Sequence, residues 1–379
     1  MGFLRIRFAF VFIFTMIFLG SLLGQETSDY EYERSSMHIM MLRHLNSTYS
    51  DEVEWVFKNT PVPERFNNHN LGVRTIALSG DGEDQSSYIA AFIKQVNLGK
   101  KMVAKWFNRD KATGSFNMDL VRERGLYNAS IADANMARAS LRGMNLLEDA
   151  GELLIKNTYL LVNDIKYESK GTGLGISLFS FKVAGFNVTV TSYLYRLNWD
   201  ENIANTFYSE YYTENGEKDL EKVEAFNGED HLFTMEYIGK TESGSSERHY
   251  SKAKDPARLL KKVCIQAIDQ NIAKLQHEYP DFRIKAPLFS TEPLRAYVGQ
   301  KEDITPQSRF EVLERVIDDE GRLSYMRVGI IKPLPGRPIW DNRYMADDDD
   351  ADVKLGFTEF EKVRGSEFYP GMLIREIDE

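Results

Sequence analysis

The sequence predicts an α/β domain with a mixed sheet over residues 73–282, followed by a β-rich, barrel-like domain over 283–379. Two observations carry this prediction. In the first region, β-branched segments of alternating polarity alternate with segments whose apolar residues recur every three or four positions. This order is expected for strands that alternate with helices. The second region contains only short strand-like segments separated by turns that hold glycine or proline, which is typical of small barrels.

The first residues have the composition of a secretory signal peptide. Arg5 and Arg7 precede an apolar stretch over 8–19 in which only Thr15 is polar, and small residues follow. This apolar run is shorter than the ~20 residues that cross a bilayer comfortably, so we expect residues 1–24 to be cleaved rather than retained as an anchor. The sequence therefore predicts an exported protein that is periplasmic, outer-membrane associated or extracellular.

Charge and cysteine content restrict the partners. The net charge of −10 predicts no binding to nucleic acid, because an acidic chain is repelled by phosphates. The only cysteine, Cys264, excludes an internal disulfide and leaves no acylation site after the signal segment, so we expect no lipid anchor. Cys264 lies on an apolar helical stripe, which favours a buried structural thiol. The expected partners are envelope proteins, including further copies of this chain, with peripheral contact to the outer membrane.

Periodicity predicts the elements of the first half of the chain. Residues 25–72 are expected to form an N-terminal arm with a helix over 37–45. Further along, we predict strands over 73–78, 101–107 and 157–167, and helices over 86–96, 120–126 and 134–151.

The second half is predicted in the same way. A long helix should begin at Asp255-Pro256, where aspartate caps free amides and proline fits the first turn, and it should end before Pro280. Sheet strands are predicted over 186–197, 205–213 and 232–239, and barrel strands over 294–299, 309–318, 323–332, 357–363 and 372–377.

Three polar segments are weak candidates for ligand binding. SGDGED at 79–84 lies between a strand and a helix, as a phosphate-binding loop does, but its acidic residues favour helix capping instead. GTGLG at 171–175 lacks the lysine and hydroxyl residue of a P-loop, which favours a hinge. Asp347–Asp350 with Asp352 offers carboxylates for calcium, but the spacing favours a solvated loop. We predict no cofactor and no metal site.

Catalytic motifs are not found. No histidine pair has the HExxH spacing and no GxSxG elbow occurs, so we predict a protein that is not an enzyme, while a triad assembled in space stays open. The aromatic residues around Glu210 favour packing within a sheet over stacking on a glycan. The six histidines are His38, His44, His69, His231, His249 and His277, and the aromatic residues are Phe207, Tyr208, Tyr211 and Tyr212.

The order of these segments resembles a known family. The segments that carry the resemblance are the strand over 73–78, the helix over 86–96, the strand over 101–107, LVRERGL at 120–126, NASIAD at 128–133 with the helix to 151, and the strand over 159–164. They resemble the α/β domain of the envelope family typified by the curli secretion channel protein CsgG, with 256–279 in place of its closing helix. The motifs FEVL at 310–313, PIWDNRY at 338–344 and FYPGMLI at 368–374 are similar to a module of uncharacterised secreted proteins from Gram-negative bacteria.

Two departures limit what this resemblance implies. Members of the channel family are lipidated, whereas this chain has no acylation cysteine. Their pore also requires long membrane hairpins, and here only 186–197 alternates over the ~10 residues of a membrane strand. Tyr193 and Leu197 interrupt its polar face, so we expect an internal sheet strand and do not transfer channel activity.

The leading hypothesis is a non-enzymatic cell-envelope protein that acts in assembly, secretion or docking through protein–protein contacts. The alternatives are an oligomeric secretion-channel subunit, an extracellular adhesin that binds glycan or protein, and an uncharacterised hydrolase.

Overall fold

The computed structural model is an α+β fold, a mixed sheet with helices together with a closed antiparallel barrel, which confirms the fold class at this level. The described residues belong to one compact unit, Tyr32–Glu379. The structure describes residues 35–46, 50–60, 62–63, 65–78, 85–128, 141–169, 184–214, 219–249, 256–283, 285–317, 323–346 and 355–378.

The mixed sheet is built around its first strand. Strand β1 pairs in parallel with β2 and β3 along one edge and with β4 along the other, while β4, β5 and β6 follow in antiparallel order. The strands are β1 (Ser36–His44), β2 (Asn67–Asn68), β3 (Thr75–Leu78), β4 (Thr158–Ser169), β5 (Ala184–Leu197) and β6 (Met235–His249).

The helix predicted over 37–45 is wrong, because this segment is β1, an interior strand of the sheet. Met37, Ile39 and Met41 pack in one core, whereas Met40 and Leu42 pack in the core on the opposite face. A strand that is covered on both faces is continuously apolar, so it lacks the alternation that identifies a half-buried strand. Methionine and leucine also favour helices, which explains the error.

Helices cover both faces of the sheet. The predicted helices over 86–96 and 120–126 are confirmed, as is the long helix that ends before Pro280, while 134–140 lies outside the described residues. The helices are α1 (Ser50–Lys58), α2 (Ser86–Gln95), α3 (Leu98–Trp106), α4 (Asp119–Asn128), α5 (Leu141–Ile155), α6 (Glu201–Thr206), a π-helix (Phe207–Tyr211), α7 (Leu220–Gly228) and α8 (Pro256–Glu278).

Two predicted strands are helical. The segment 101–107 belongs largely to α3, whose buried residues Met102, Val103 and Trp106 follow helical spacing over a window too short for periodicity to separate helix from strand. The segment 205–213 lies in α6 and the π-helix, although its aromatic residues favour strands by propensity. Asp200 caps α6 by accepting a hydrogen bond from the Ile203 amide at 2.8 Å, which sets the helical start.

Two separate cores flank the sheet. Trp106, Phe107 and Phe207 lie in the core beneath α2 to α5, whereas α1 and α8 cover the opposite face. Cys264 lies in the second core and is 1% exposed, as predicted. Burial raises the pKa of its thiol to about 12, so the thiol is neutral at physiological pH.

The C-terminal strands close into a barrel in the order β10-β11-β8-β7-β12-β9. All five predicted barrel strands are present, and β7 is an additional one. Closure gives every strand two neighbours, so this part of the structure has no open edge. The strands are β7 (Ala286–Thr291), β8 (Leu294–Ala296), β9 (Arg309–Ile317), β10 (Leu323–Pro333), β11 (Thr358–Gly365) and β12 (Leu373–Ile377).

Within the described ranges, every helix is too short or too polar to cross a membrane.

Candidate functional site at the edge of the sheet

The three polar segments considered as ligand sites, 79–84, 171–175 and 347–352, lie outside the described residues. Among the residues that the structure describes, no three histidine, cysteine, aspartate or glutamate side chains converge in a way that would hold a metal ion.

Two histidines serve the packing of the sheet. His38 is buried and hydrogen-bonds the Val73 backbone, and desolvation lowers its pKa to about 4. His69 is completely buried, accepts a hydrogen bond from Arg124 Nη1 at 2.9 Å and donates to the Met102 carbonyl at 3.1 Å. Desolvation keeps the pKa of His69 well below its ordinary value. Both rings are therefore neutral structural groups at physiological pH.

The other histidines lie apart from one another. His231 is exposed, His277 Nε2 lies 3.7 Å from Glu376 Oε2, and the side chain of His249 lies outside the described residues.

The structure brings His44 and Asp164 together, which sequence reasoning missed. His44 Nε2 lies 2.5 Å from Asp164 Oδ1, and Lys166 Nζ lies 3.8 Å from the other carboxylate oxygen. Parallel pairing of β1 with β4 sets Leu42 opposite Asp164 and so brings the His44 ring within reach. A histidine held by a carboxylate is one part of a hydrolase triad. The sequence signal was hidden because β1 was taken for a helix.

The aromatic residues near Glu210 pack inside the protein. Phe207 is fully buried, and Phe116 stacks on Tyr212 with ring centroids 5.9 Å apart. Tyr208 Oη donates to Glu152 at 2.5 Å and Tyr211 Oη donates to Glu229 at 2.9 Å. These contacts occupy the rings and hydroxyls in a helical core, so the predicted packing role is supported but the predicted sheet strand is wrong.

The longer of the two described edges of the sheet is the outer edge of β6. This strand has 15 residues and ends the order of the sheet, and no described strand pairs with its outer side. Lys274 Nζ, from α8, donates to the Glu242 carbonyl at 2.6 Å, which shows that this peptide group faces away from β5. Because peptide groups alternate along a strand, those of Lys240, Gly244 and Ser246 face the same way.

A comparison with protein-family models gave no match, and a comparison with curated proteins gave none either.

The interior of the protein holds the β6 edge in position. Gly239, Thr241 and Ser243 are buried, while Lys240 and Glu242 are exposed on the opposite face. Thr241 Oγ1 donates to the Asn271 carbonyl of α8 at 3.3 Å. Because the edge is anchored to a long helix, it needs little ordering when another strand pairs with it, which lowers the entropic cost of association.

Polar contacts extend this anchor to β5. Asn271 Nδ2 donates to the Val190 carbonyl at 2.6 Å and to Ser192 Oγ at 3.0 Å, and both Asn271 and Ser192 are completely buried. Asn271 Oδ1 has no partner, but the two hydrogen bonds from Nδ2 favour one arrangement of the elements that they join. The network therefore sets how α8 lies across β5 and β6.

Proposed function

We propose that this chain is a non-enzymatic exported cell-envelope protein that acts in assembly, secretion or docking through protein–protein contacts, and that the β6 edge is the contact. The observation that carries this proposal is an anchored 15-residue edge strand whose outer side pairs with no described strand. Exposed edges of this kind recruit a further strand through main-chain hydrogen bonds.

The occupant we propose is a second copy of this chain. When two β6 strands pair in antiparallel orientation about Thr241, Lys240 of each copy faces Glu242 of the other. Both residues direct their peptide groups outward, so the two facing pairs fall in hydrogen-bonding positions. Opposite charges that face each other across strands stabilise pairing by roughly 0.2–1 kcal/mol each. The charge pattern of β6 is therefore complementary to itself in this register.

A charge-swap series tests the proposal by sedimentation analysis of the protein without its first 24 residues. Glu242→Lys and Lys240→Glu each place like charges opposite each other, so each variant should weaken self-association. The double variant Lys240→Glu/Glu242→Lys restores opposite charges and should restore association. A monomer at every concentration, or a double variant as weak as the singles, would rule out this contact.

The oligomeric secretion channel is a weaker candidate. Strand β5 pairs with β4 on one side and with β6 on the other, which supports the internal strand expected from its sequence over a membrane hairpin.

We also propose, at the level of family, that the α/β part is CsgG-like. The order β3, α2, α4, α5, β4 and then α8 supports this relationship. One element differs, because α3 is a helix where the resemblance implies a strand.

Export remains part of the proposal and is supported by the signal-like composition of residues 1–24. Cell fractionation with mass determination of the N-terminus tests it, and an intact N-terminus on cytosolic protein would contradict it.

A further inference from the structure

A cavity of about 380 Å³ lies between α8 and the loops of the barrel. On the α8 side it is bordered by Asp269 and by Gln266 and Gln270. On the barrel side it is bordered by a short helical turn (Gln300–Glu302) and the loop that follows. The volume falls within the range of small-molecule sites. This cavity is distinct from the β6 edge, and its role is independent of self-association.

Asp269 is the unusual member of the lining. It is 8% exposed, and its Oδ2 accepts no hydrogen bond although it is buried. Lys301 Nζ lies 3.7 Å from this oxygen, which is near enough for charge attraction but beyond hydrogen-bond distance. A buried carboxylate oxygen without a donor is costly, so a ligand that supplies a donor gains free energy there.

The charges around the cavity favour a cation. Glu302 lies beside the lining and accepts a hydrogen bond from Arg65 at 3.0 Å, and the lining residue Arg343 makes two hydrogen bonds to Asp341. Among the other described lining residues, the charged side chains are the carboxylates of Asp269 and the exposed Asp303 and the ammonium of Lys301. Counted together with Asp341, which pairs with Arg343, the described lining carries an excess of one negative charge.

We propose that this cavity binds a primary alkylammonium group, with Asp269 as the carboxylate that receives it. Ile304, Pro306 and Ile339 supply apolar surface for an alkyl chain, and Gln300 also lines the cavity. Burial raises the pKa of Asp269 to about 6, with the Glu302 charge acting in the same direction and Lys301 acting against both. The ammonium group of the ligand supplies the positive charge that balances the Asp269 carboxylate.

The test titrates pentylammonium chloride into the full-length protein at pH 7.5 by isothermal titration calorimetry, with 1-pentanol as the uncharged probe of equal length. We expect the ammonium to bind measurably more tightly than the alcohol. Asp269→Asn should weaken ammonium binding at least about ten-fold, as expected for the loss of a hydrogen bond to a charged group. Asp149→Asn removes an exposed carboxylate on α5, outside the cavity lining, and should leave the affinity unchanged.

Lys301→Met supplies a second variant on the rim of the site. Because Lys301 competes with the ligand for the same carboxylate oxygen, its removal should tighten ammonium binding. Equal affinity of wild type and Asp269→Asn, equal binding of alcohol and ammonium, no binding of either probe, or unchanged or weaker binding by Lys301→Met would each overturn the proposal.

Discussion

Lys274 Nζ donates a hydrogen bond of 2.6 Å to the Glu242 carbonyl and so occupies one outward acceptor of the β6 edge. Lysine at the edge of a sheet is a common means of discouraging unwanted strand pairing. In this chain the same contact competes with the proposed self-association, because a second β6 strand needs that carbonyl.

We therefore predict that Lys274→Met strengthens self-association. A symmetric pair contains two copies of the competing hydrogen bond, and the substitution removes both. At about 0.5–1.5 kcal/mol for each bond, the dissociation constant should fall on the order of ten-fold. Sedimentation equilibrium measures it. Lys274→Arg, which keeps a donor, serves as the control and should resemble the wild type, and weaker association of Lys274→Met would contradict the prediction.

Asp269 should make stability depend on pH. Its folded pKa, about 6, lies above the ordinary value of 3.8, so the folded state binds this proton more tightly than the unfolded state does. The resulting stabilisation is fully present below about pH 4 and is lost as pH rises through 6. We expect Asp269→Asn to raise the free energy of unfolding above that of the wild type at pH 7.5. The rise at pH 7.5 should exceed the rise at pH 4 by at most about 3 kcal/mol. Urea unfolding at both pH values measures this, and the same difference at both would contradict it.

The Asn271 network should contribute strongly to stability. Asn271→Ala leaves the buried Val190 carbonyl without its side-chain donor and opens a small cavity, which should cost about 2–3 kcal/mol. Gln270→Ala, one residue earlier on the exposed side of α8, is the matched control and should change stability by less than about 0.5 kcal/mol. Urea unfolding compares the two variants, and equal effects would show that the network is dispensable.

Gly329 is required by close packing in the barrel. A Cβ atom at this position would lie 2.4 Å from the Phe368 ring and 2.7 Å from the Arg364 carbonyl. We predict that Gly329→Ala destabilises the fold by about 1–3 kcal/mol through overpacking. Gly356→Ala, where a Cβ meets no atom within 4 Å, should be nearly neutral in the same thermal unfolding measurement. An unchanged unfolding temperature for Gly329→Ala would show that the barrel can rearrange to accommodate the added methyl group.

The Cys264 thiol should be unreactive in the folded protein. Burial raises its pKa to about 12 and excludes reagents, so a disulfide probe should label it only after denaturation. Labelling of native and urea-unfolded protein with the same reagent tests this. Rapid labelling of the native state would indicate that α8 opens readily.

Local patterns were sufficient to predict several of the elements. Alternation identified β5, and helical spacing identified α2 and α8, because in each of these segments the apolar residues recur with the period of the element. The same pattern failed for β1, which is covered on both faces, and for α3, which is short. Local patterns could not predict the candidate contacts, because the pairs Lys274–Glu242 and Asp269–Lys301 each join residues from different elements.

The sequence by itself determined the class of the fold, the burial of Cys264 and the strand content of the barrel, because these depend on composition and short-range periodicity. Only the tertiary structure decided that β1 lies in the interior of the sheet, that β6 lies at its edge, and that Asp269 is buried beside a cavity. The order of the strands and the burial of Asp269 depend on contacts between segments that are distant in sequence. The periodicity of a single segment does not determine the free energy of such contacts.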